Sequence, residues 1–129
     1  MERPQYLIDT NAVIDYFGQH MPAKGLEFMD AVFDQIPNVS VVTKIEVLGF
    51  TMPDEHYQLL TNFMNDAIIF DLNKDVVDAS IDVRKRHKIK LPDAIIAATA
   101  IVYDLTIITR NVKDFARIQN IKTIDPHSL

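Results

Sequence analysis

Four acidic residues occupy positions from which a carboxylate could act in catalysis or bind a cation. Asp9 directly follows the first short apolar segment of the chain, and Glu46 lies a few residues beyond the second. Asp93 opens a nearly all-apolar helical segment, and Asp114 follows the fourth short apolar segment. Carboxylates that share a pocket repel one another and raise one another's pKa values. If these four side chains meet, a bound cation is needed to offset their charges.

The residue types indicate which cation such a site would bind. The sequence has no cysteine, and no histidine occurs in the motifs that carry the four acids. Oxygen ligands alone favour Mg²⁺ or Mn²⁺, which keeps several bound waters. The matching reaction is phosphodiester hydrolysis, in which one ion lowers the pKa of the attacking water and a second, about 4 Å away, neutralises the leaving oxygen. No side-chain nucleophile is required.

These acids can meet only if the fold brings their segments together. Five short, mostly β-branched segments have the pattern of buried strands, and the segments between them have helical periodicity. The predicted strands are residues 6–8, 39–42, 67–70, 105–109 and 122–124, and the predicted helices are residues 10–17, 23–35, 44–50, 54–65, 75–86 and 93–103. The alternation predicts an α/β fold with a five-stranded, mostly parallel sheet that is flanked by helices on both faces.

In a parallel sheet, the C-terminal ends of the strands and the N-terminal ends of the helices share one edge, where such folds bind ligands. Asp9 ends the first predicted strand, Glu46 falls in the first turn of the third predicted helix, and Asp93 begins the sixth. We therefore expect these three carboxylates and Asp114 to converge at this edge. Asp15, further along the first helix, is expected on a solvated face.

The motifs around the four acids resemble those of a known family. Leu-Ile-Asp-Thr-Asn (7–11), Leu-Pro-Asp-Ala-Ile-Ile-Ala-Ala-Thr-Ala (91–100) and Thr-Arg-Asn-Val-Lys-Asp-Phe (109–115), together with Glu46, are similar to the ordered motifs of PIN-domain ribonucleases, in particular the VapC-type toxins. The resemblance extends from residue 6 to about residue 125. It implies a single PIN-like domain over residues 1–129.

By position, the resemblance implies an acidic quartet that is both catalytic and metal-binding, with two of its members as direct ligands of the first ion. The quartet is Asp9, Glu46, Asp93 and Asp114, and the direct ligands are Asp9 and Asp93. Three polar residues are implied to support the quartet by hydrogen bonds: Thr10, Asn11 and Asn111.

The resemblance also implies an activity and partners. The activity is that of a Mg²⁺- or Mn²⁺-dependent endoribonuclease that cuts structured RNA such as tRNA or ribosomal RNA. The partners are a VapB-like antitoxin and a second copy of the chain, in a homodimer or a larger toxin–antitoxin complex. An arginine or lysine from the antitoxin would enter the acidic site, because a guanidinium pairs well with carboxylates.

A basic segment could bind RNA on an otherwise acidic protein. The net charge is −5, yet five of the 13 Lys and Arg residues lie in residues 84–90. This segment leads directly into the motif of Asp93, so its cations are predicted to hold RNA phosphates beside the metal. The predicted phosphate-binding residues are Arg86, Lys88, Lys90 and, from another motif, Arg110. A solvated helix end is the simpler explanation for the segment.

Length and composition limit the remaining possibilities. The chain has 129 residues, of which 48% are hydrophobic and 24% are charged, as expected for one globular domain. Its longest apolar stretch is about half of what spans a bilayer. Glu2, Arg3 and Pro4 precede only a short apolar run, unlike a secretion signal. We expect a cytoplasmic protein that does not bind membranes.

Two other classes of protein compete with a nuclease. A phospho-receiver domain has a similar length and would use Asp71 as phosphoacceptor, but it also needs paired acids after the first strand, where Thr10 and Asn11 follow Asp9. A catalytically inactive PIN-like module that binds RNA or protein is the second alternative. A haloacid-dehalogenase-like phosphatase is disfavoured because it would need an aspartate at position 11.

Overall fold

The computed structural model describes residues 5–129, so the expectation about Glu2, Arg3 and Pro4 lies outside the described residues. The strands are β1 (Tyr6–Ile8), β2 (Asn38–Ser40), β3 (Ile68–Phe70), β4 (Thr106–Ile108) and β5 (Lys122–Ile124). The helices are α1 (Thr10–Phe17), α2 (Ala23–Phe33), α3 (Val41–Leu48), α4 (Asp54–Asp66), α5 (Lys74–Arg86), α6 (Leu91–Tyr103) and α7 (Val112–Phe115), and a 3₁₀ turn, Pro126–Ser128, follows β5. Among these described elements, no helix is long and apolar enough to cross a membrane.

The five strands form one parallel sheet in the order β3-β2-β1-β4-β5. In the centre, β1 pairs with β4 in the register Ile8 to Ile108, so the residues that follow these two strands are neighbours. This order confirms the predicted α/β fold. It differs from the 2-1-3-4-5 order of receiver domains, and Asp71 follows the edge strand β3. The receiver alternative is therefore wrong.

Alternation along the central strands explains why helices cover both faces. Leu7 and Ile107 pack into the core under α6 and α7, whereas Ile8 and Ile108 pack on the opposite face, under α1, α2 and α4. Successive side chains of a strand point to opposite faces, so a fully apolar strand needs a cover on each side. The predicted two-sided cover is confirmed.

The start of α3 differs from the prediction. The sequence favours a strand over residues 39–42, but β2 ends at Ser40 and α3 begins at Val41. The Ser40 hydroxyl accepts a hydrogen bond from the Val42 backbone N–H at 3.1 Å and so caps the helix. The two β-branched residues after Ser40, Val41 and Val42, favour a strand by residue type but form the first turn of α3. As a result, Glu46 lies in the second turn of α3, not in the first.

Candidate active site

Asp9 is the most firmly held of the four predicted acids. It caps α1 directly after β1 and is only 4% exposed. Its Oδ1 accepts a hydrogen bond from the Thr10 backbone N–H at 2.8 Å. Its Oδ2 accepts bonds from Asn11 Nδ2 at 3.0 Å and from Thr109 Oγ1 at 2.8 Å. Burial raises the pKa of Asp9 despite these bonds, and the charge of Glu46 adds to the effect.

Thr109 is a residue of the site that the sequence reading missed. The sequence predicts it only as the last residue of the fourth strand, residues 105–109. In the structure it follows β4 as Asp9 follows β1, and the pairing of these strands brings the two side chains together. Its hydroxyl also accepts a hydrogen bond from the Asn111 backbone N–H at 3.0 Å. The signal available in the sequence is a hydroxyl residue at the end of a mostly apolar predicted strand, in the same position relative to its strand as Asp9.

Glu46 reaches the site from α3, where it is half-buried. Its Oε1 accepts a hydrogen bond from Thr10 Oγ1 at 2.6 Å. Because Thr10 is the first residue of α1 and its backbone N–H binds Asp9, this bond connects the two acids through one residue. The predicted supporting position of Thr10 is consistent with this geometry.

Asp93 occupies the first turn of α6 after Lys90 and Pro92 and is partly buried. Desolvation is the largest cause that raises its pKa, from 3.8 to about 6. The negative charges of three other carboxylates, Asp9, Asp114 and Glu46, raise the pKa further. The positive charge of Lys90 acts in the opposite direction. The other three predicted acids are therefore close enough to Asp93 to affect its ionisation.

Three of the four acids line one cavity. Asp9, Glu46 and Asp93 border a space of about 290 Å³, together with Arg110 and Asn111. Asp114, on α7, does not line this cavity and is exposed, so its connection to the site is electrostatic. Within residues 5–129, no three His, Asp or Glu side chains have the arrangement of a ready-made metal site. Carboxylate oxygens are the type of ligand that a divalent cation such as Mg²⁺ prefers. The repulsion among these carboxylates also favours a bound cation.

The two predicted asparagines have different surroundings. Asn11 donates to Asp9 and, at 3.2 Å, to Thr109, and its Oδ1 accepts a bond from the Arg110 backbone N–H at 3.1 Å. It thus joins the loop after β4 to the start of α1. Asn111 lines the cavity, and its side chain does not cap α7.

Asp15 corrects the expectation of a solvated residue. It is buried on α1 and lines the same cavity. Its Oδ2 accepts hydrogen bonds from Arg110 Nη1 at 3.0 Å and from His127 Nε2 at 3.1 Å. Helical periodicity places a polar residue outward by default, whereas its partners lie 95 and 112 residues further along the chain.

The basic segment is divided in the structure. Lys90 lies near enough to Asp93 to lower its pKa. Arg86 pairs with the exposed Asp82 at 3.0 Å and borders a different cavity, which Arg117 also lines. Lys88 is exposed and lies outside the residues that line the acidic cavity. Of the three predicted lysines and arginines in this segment, Lys90 alone acts on the pKa of Asp93, and like Lys88 it does not line the acidic cavity.

An apolar groove adjoins the acidic cavity. It has a volume of about 620 Å³ and lies between α1, α3 and α4. Phe50, which is 60% exposed, and Ile14 line both the groove and the acidic cavity. Leu59, on α4, is half exposed on the same groove. Exposed apolar surface of this kind is typical of a site for a partner protein.

Comparison with known proteins gives a family match over most of the chain. The model of the family described as PIN domain matches residues 6–121. No curated protein matches the chain. Among solved structures, the chain is similar to a toxin-antitoxin complex from Klebsiella pneumoniae, with 31% sequence identity and a TM-score of 0.76. The match covers 95% of this chain and 98% of that chain.

Two further solved structures have the same fold at lower identity. DNA-bound VapBC from Salmonella typhimurium has 19% identity and a TM-score of 0.79, and the match covers 96% of this chain and 99% of that chain. FitAcB from Neisseria gonorrhoeae has 20% identity and a TM-score of 0.76, with coverage of 97% and 100%. At these identities the likeness shows the fold alone.

Proposed function

Since the chain belongs to the PIN domain family, we propose that it is the toxin of a toxin–antitoxin pair and acts as a Mg²⁺- or Mn²⁺-dependent endoribonuclease. Membership in this family supports the assignment of the protein as a nuclease, which is a type of hydrolase. The substrate we propose is structured RNA such as tRNA or ribosomal RNA. We further propose that residues 1–129 form one PIN domain that works in the cytoplasm.

The observation that carries this proposal is the interaction among carboxylates from separate segments. The charges of Asp9, Asp114 and Glu46 help to raise the pKa of Asp93 to about 6. A protein that only binds a partner gains nothing from such repulsion, which opposes folding at neutral pH. In a site that binds a divalent cation, the same cluster of negative charges is useful, because every carboxylate attracts the cation.

Asp9 and Asp93 would hold the ion directly, and the negative charges of Glu46 and Asp114 would add to its attraction. A bound divalent cation supplies the charge that lowers the pKa of the attacking water and stabilises the leaving oxygen. Asp9 is kept in a single orientation by its three hydrogen bonds. Glu46 is oriented by Thr10. Lys90, whose charge lowers the pKa of Asp93, would attract an RNA phosphate toward the cavity.

RNA cleavage by purified variants tests the proposed activity. The wild type should cut bulk tRNA or ribosomal RNA with Mg²⁺ or Mn²⁺ and should stop when EDTA is added. Asp9→Asn and Asp93→Asn should each lower the rate by at least about 100-fold, as expected for loss of one preorganised electrostatic group. Asp104→Asn is the charge-matched control, because Asp104 is an exposed residue that pairs with Lys122.

Folding of each variant is checked by circular dichroism and thermal unfolding. If the folded variants cut RNA as fast as the wild type, the acidic cavity is not the active site. If the folded wild type cuts no RNA with either metal, the alternative of an inactive PIN-like binding module is supported.

We propose that the antitoxin binds in the apolar groove, because this groove is continuous with the acidic cavity through Ile14 and Phe50. The relative from Klebsiella pneumoniae was solved as a toxin-antitoxin complex. An apolar segment of the antitoxin would cover Phe50, and an arginine or lysine beside it would pair with the acids. A homodimer, alone or within a larger complex with the antitoxin, is part of the same proposal.

A small protein encoded next to this chain would be the antitoxin to test. It should inhibit RNA cleavage by the wild type, and Phe50→Glu should weaken that inhibition by at least tenfold. Ile81→Glu is the matched control, because Ile81 is also exposed but lies on α5, outside the groove. If Phe50→Glu instead changes the oligomeric state and leaves inhibition unchanged, the groove is a contact between copies of the chain.

A further inference from the structure

Asp15 makes two contacts that its position in a helix does not require. It is buried on α1, and a buried carboxylate is costly unless it is paired and hydrogen-bonded. Both of its partners come from distant parts of the chain: Arg110 follows β4, and His127 belongs to the C-terminal 3₁₀ turn. The two partners bind the same carboxylate oxygen, Oδ2.

Arg110 is the one cationic side chain among the residues that line the acidic cavity. One Nη1 N–H is used by Asp15, and about half of the side chain is exposed. The remaining N–H groups can therefore reach a ligand in the cavity. The Arg110 backbone N–H is bound to Asn11, whose side chain also binds Asp9. Both ends of Arg110 are thus fixed relative to the carboxylate of Asp9.

The C-terminal turn supports this arrangement from the other side. The Asp125 carboxylate accepts hydrogen bonds from the His127 backbone N–H at 2.8 Å and from Ser128 Oγ at 3.0 Å. The turn packs so closely on α2 that a Cβ added at Gly25 would overlap the Pro126 carbonyl oxygen. These contacts hold the His127 ring where it reaches Asp15.

We propose that Asp15 is a positioning residue that holds the Arg110 guanidinium at the edge of the acidic cavity, where it binds a phosphate group of the RNA, and that His127 helps to orient Asp15. This inference rests on the proposed function. A buried ion pair is weak evidence for a role in stability, because well-packed apolar residues in its place are often as stable or more stable. A fixed guanidinium, in contrast, matches the geometry of a phosphate. It also gives the phosphate a cation in a cavity whose other charged lining residues are all acidic.

Two substitutions of Asp15 separate positioning from charge. Asp15→Ala and Asp15→Asn remove the same negative charge, but the asparagine keeps an oxygen that can accept the Arg110 N–H. Asp15→Ala should raise the KM for bulk tRNA about tenfold, with a smaller change in kcat. Arg110→Ala should have the same effect, because in both variants the charge-assisted contact between Arg110 and an RNA phosphate is lost. Asp15→Asn should restore part of the loss. If Asp15 acts only through its charge, both variants should bind RNA more tightly, because removal of a negative charge reduces the repulsion of RNA.

A double variant tests whether Asp15 acts through Arg110. Asp15→Ala should add no further increase in KM when Arg110 is already alanine, because contacting residues that work as a unit are not additive. Asp104→Asn reports the effect of one lost negative charge elsewhere. If Asp15→Ala is unfolded at the assay temperature, Asp15→Asn carries the same test, with an increase in KM in the wild type and none in Arg110→Ala.

Equal KM values for Asp15→Ala and Asp15→Asn would overturn the inference. So would the same increase in KM with and without Arg110, or a lower melting temperature with an unchanged KM. In each of these cases the wild type still cuts RNA, so the proposed function stands. A wild type that cuts no RNA with Mg²⁺ or Mn²⁺ would remove the proposed function and, with it, this inference.

Discussion

Replacing Asp93 with asparagine should stabilise the metal-free protein, although Asp93 belongs to the proposed active site. Burial and three neighbouring carboxylates raise the pKa of Asp93 from 3.8 to about 6. The folded state therefore binds this proton more tightly than the unfolded state does. The contribution of Asp93 to the free energy of unfolding is therefore most favourable below pH 3.8 and declines as the pH rises to about 6. Above pH 6 the ionised Asp93 carboxylate lowers the free energy of unfolding by the full amount. Asparagine carries no charge and avoids this loss.

The size of this gain follows from the pKa of Asp93. The interval from 3.8 to about 6 corresponds to about 3 kcal/mol, at about 1.36 kcal/mol per pH unit. Because Asp93 is partly open to solvent, screening reduces the cost to about 1–2 kcal/mol. Asparagine also loses the attraction of a carboxylate to the N-terminus of α6, about 0.3–1 kcal/mol. The net gain is about 1 kcal/mol at pH 7.5, or about 3–5 °C in Tm.

Thermal unfolding in EDTA at pH 7.5 and at pH 4 measures this effect. Asp93→Asn should melt at a higher temperature than the wild type at pH 7.5. At pH 4 the difference should nearly vanish, because the folded wild type then keeps Asp93 protonated. Asp104→Asn should have little effect at either pH, since Asp104 is exposed and paired with Lys122. An equal or lower melting temperature for Asp93→Asn at pH 7.5, or the same gain at both pH values, would refute the reasoning.

Three further substitutions test other parts of the account. Lys90→Ala should weaken RNA binding at low salt and reduce the salt slope of binding by about one. Lys24→Ala is the control. A slope for Lys90→Ala that equals that of the wild type would count against a phosphate contact. Gly25→Ala should lower the free energy of unfolding by about 1–3 kcal/mol in a denaturant titration, because the added Cβ displaces the C-terminal turn. Asn73→Ala should cost about 1 kcal/mol in the same titration, because the Asn73 side chain caps α5 through the Val76 N–H, and a loss below about 0.3 kcal/mol would argue against the cap.

The fold and the family could be predicted from the sequence because their signals are local. The strands are short apolar runs, and Asp9 and Asp93 stand directly at a strand end and a helix start. The family match over residues 6–121 confirms the resemblance that these motifs indicated. The cap of α5 is a local signal of the same kind, since the Asn73 side chain and the Val76 N–H that it binds are only three positions apart.

The supporting contacts of the site could not be predicted because they are not local. The bond from Thr109 to Asp9 joins residues 100 positions apart, and its existence depends on the pairing of β1 with β4. Asp15 has the sequence pattern of a solvated helix residue, and only the folded chain brings Arg110 to it. The short helix α7 and the C-terminal 3₁₀ turn also lack the periodicity that identifies longer helices.

The most direct test of the central claim is a Mn²⁺ titration of the metal-free protein by calorimetry. The account predicts saturable binding of Mn²⁺ by the wild type, strongly weakened in Asp93→Asn and retained in Asp104→Asn. Identical isotherms for the wild type and Asp93→Asn, or no binding to the folded wild type, would contradict the claim that the carboxylates of this cavity jointly bind a divalent cation.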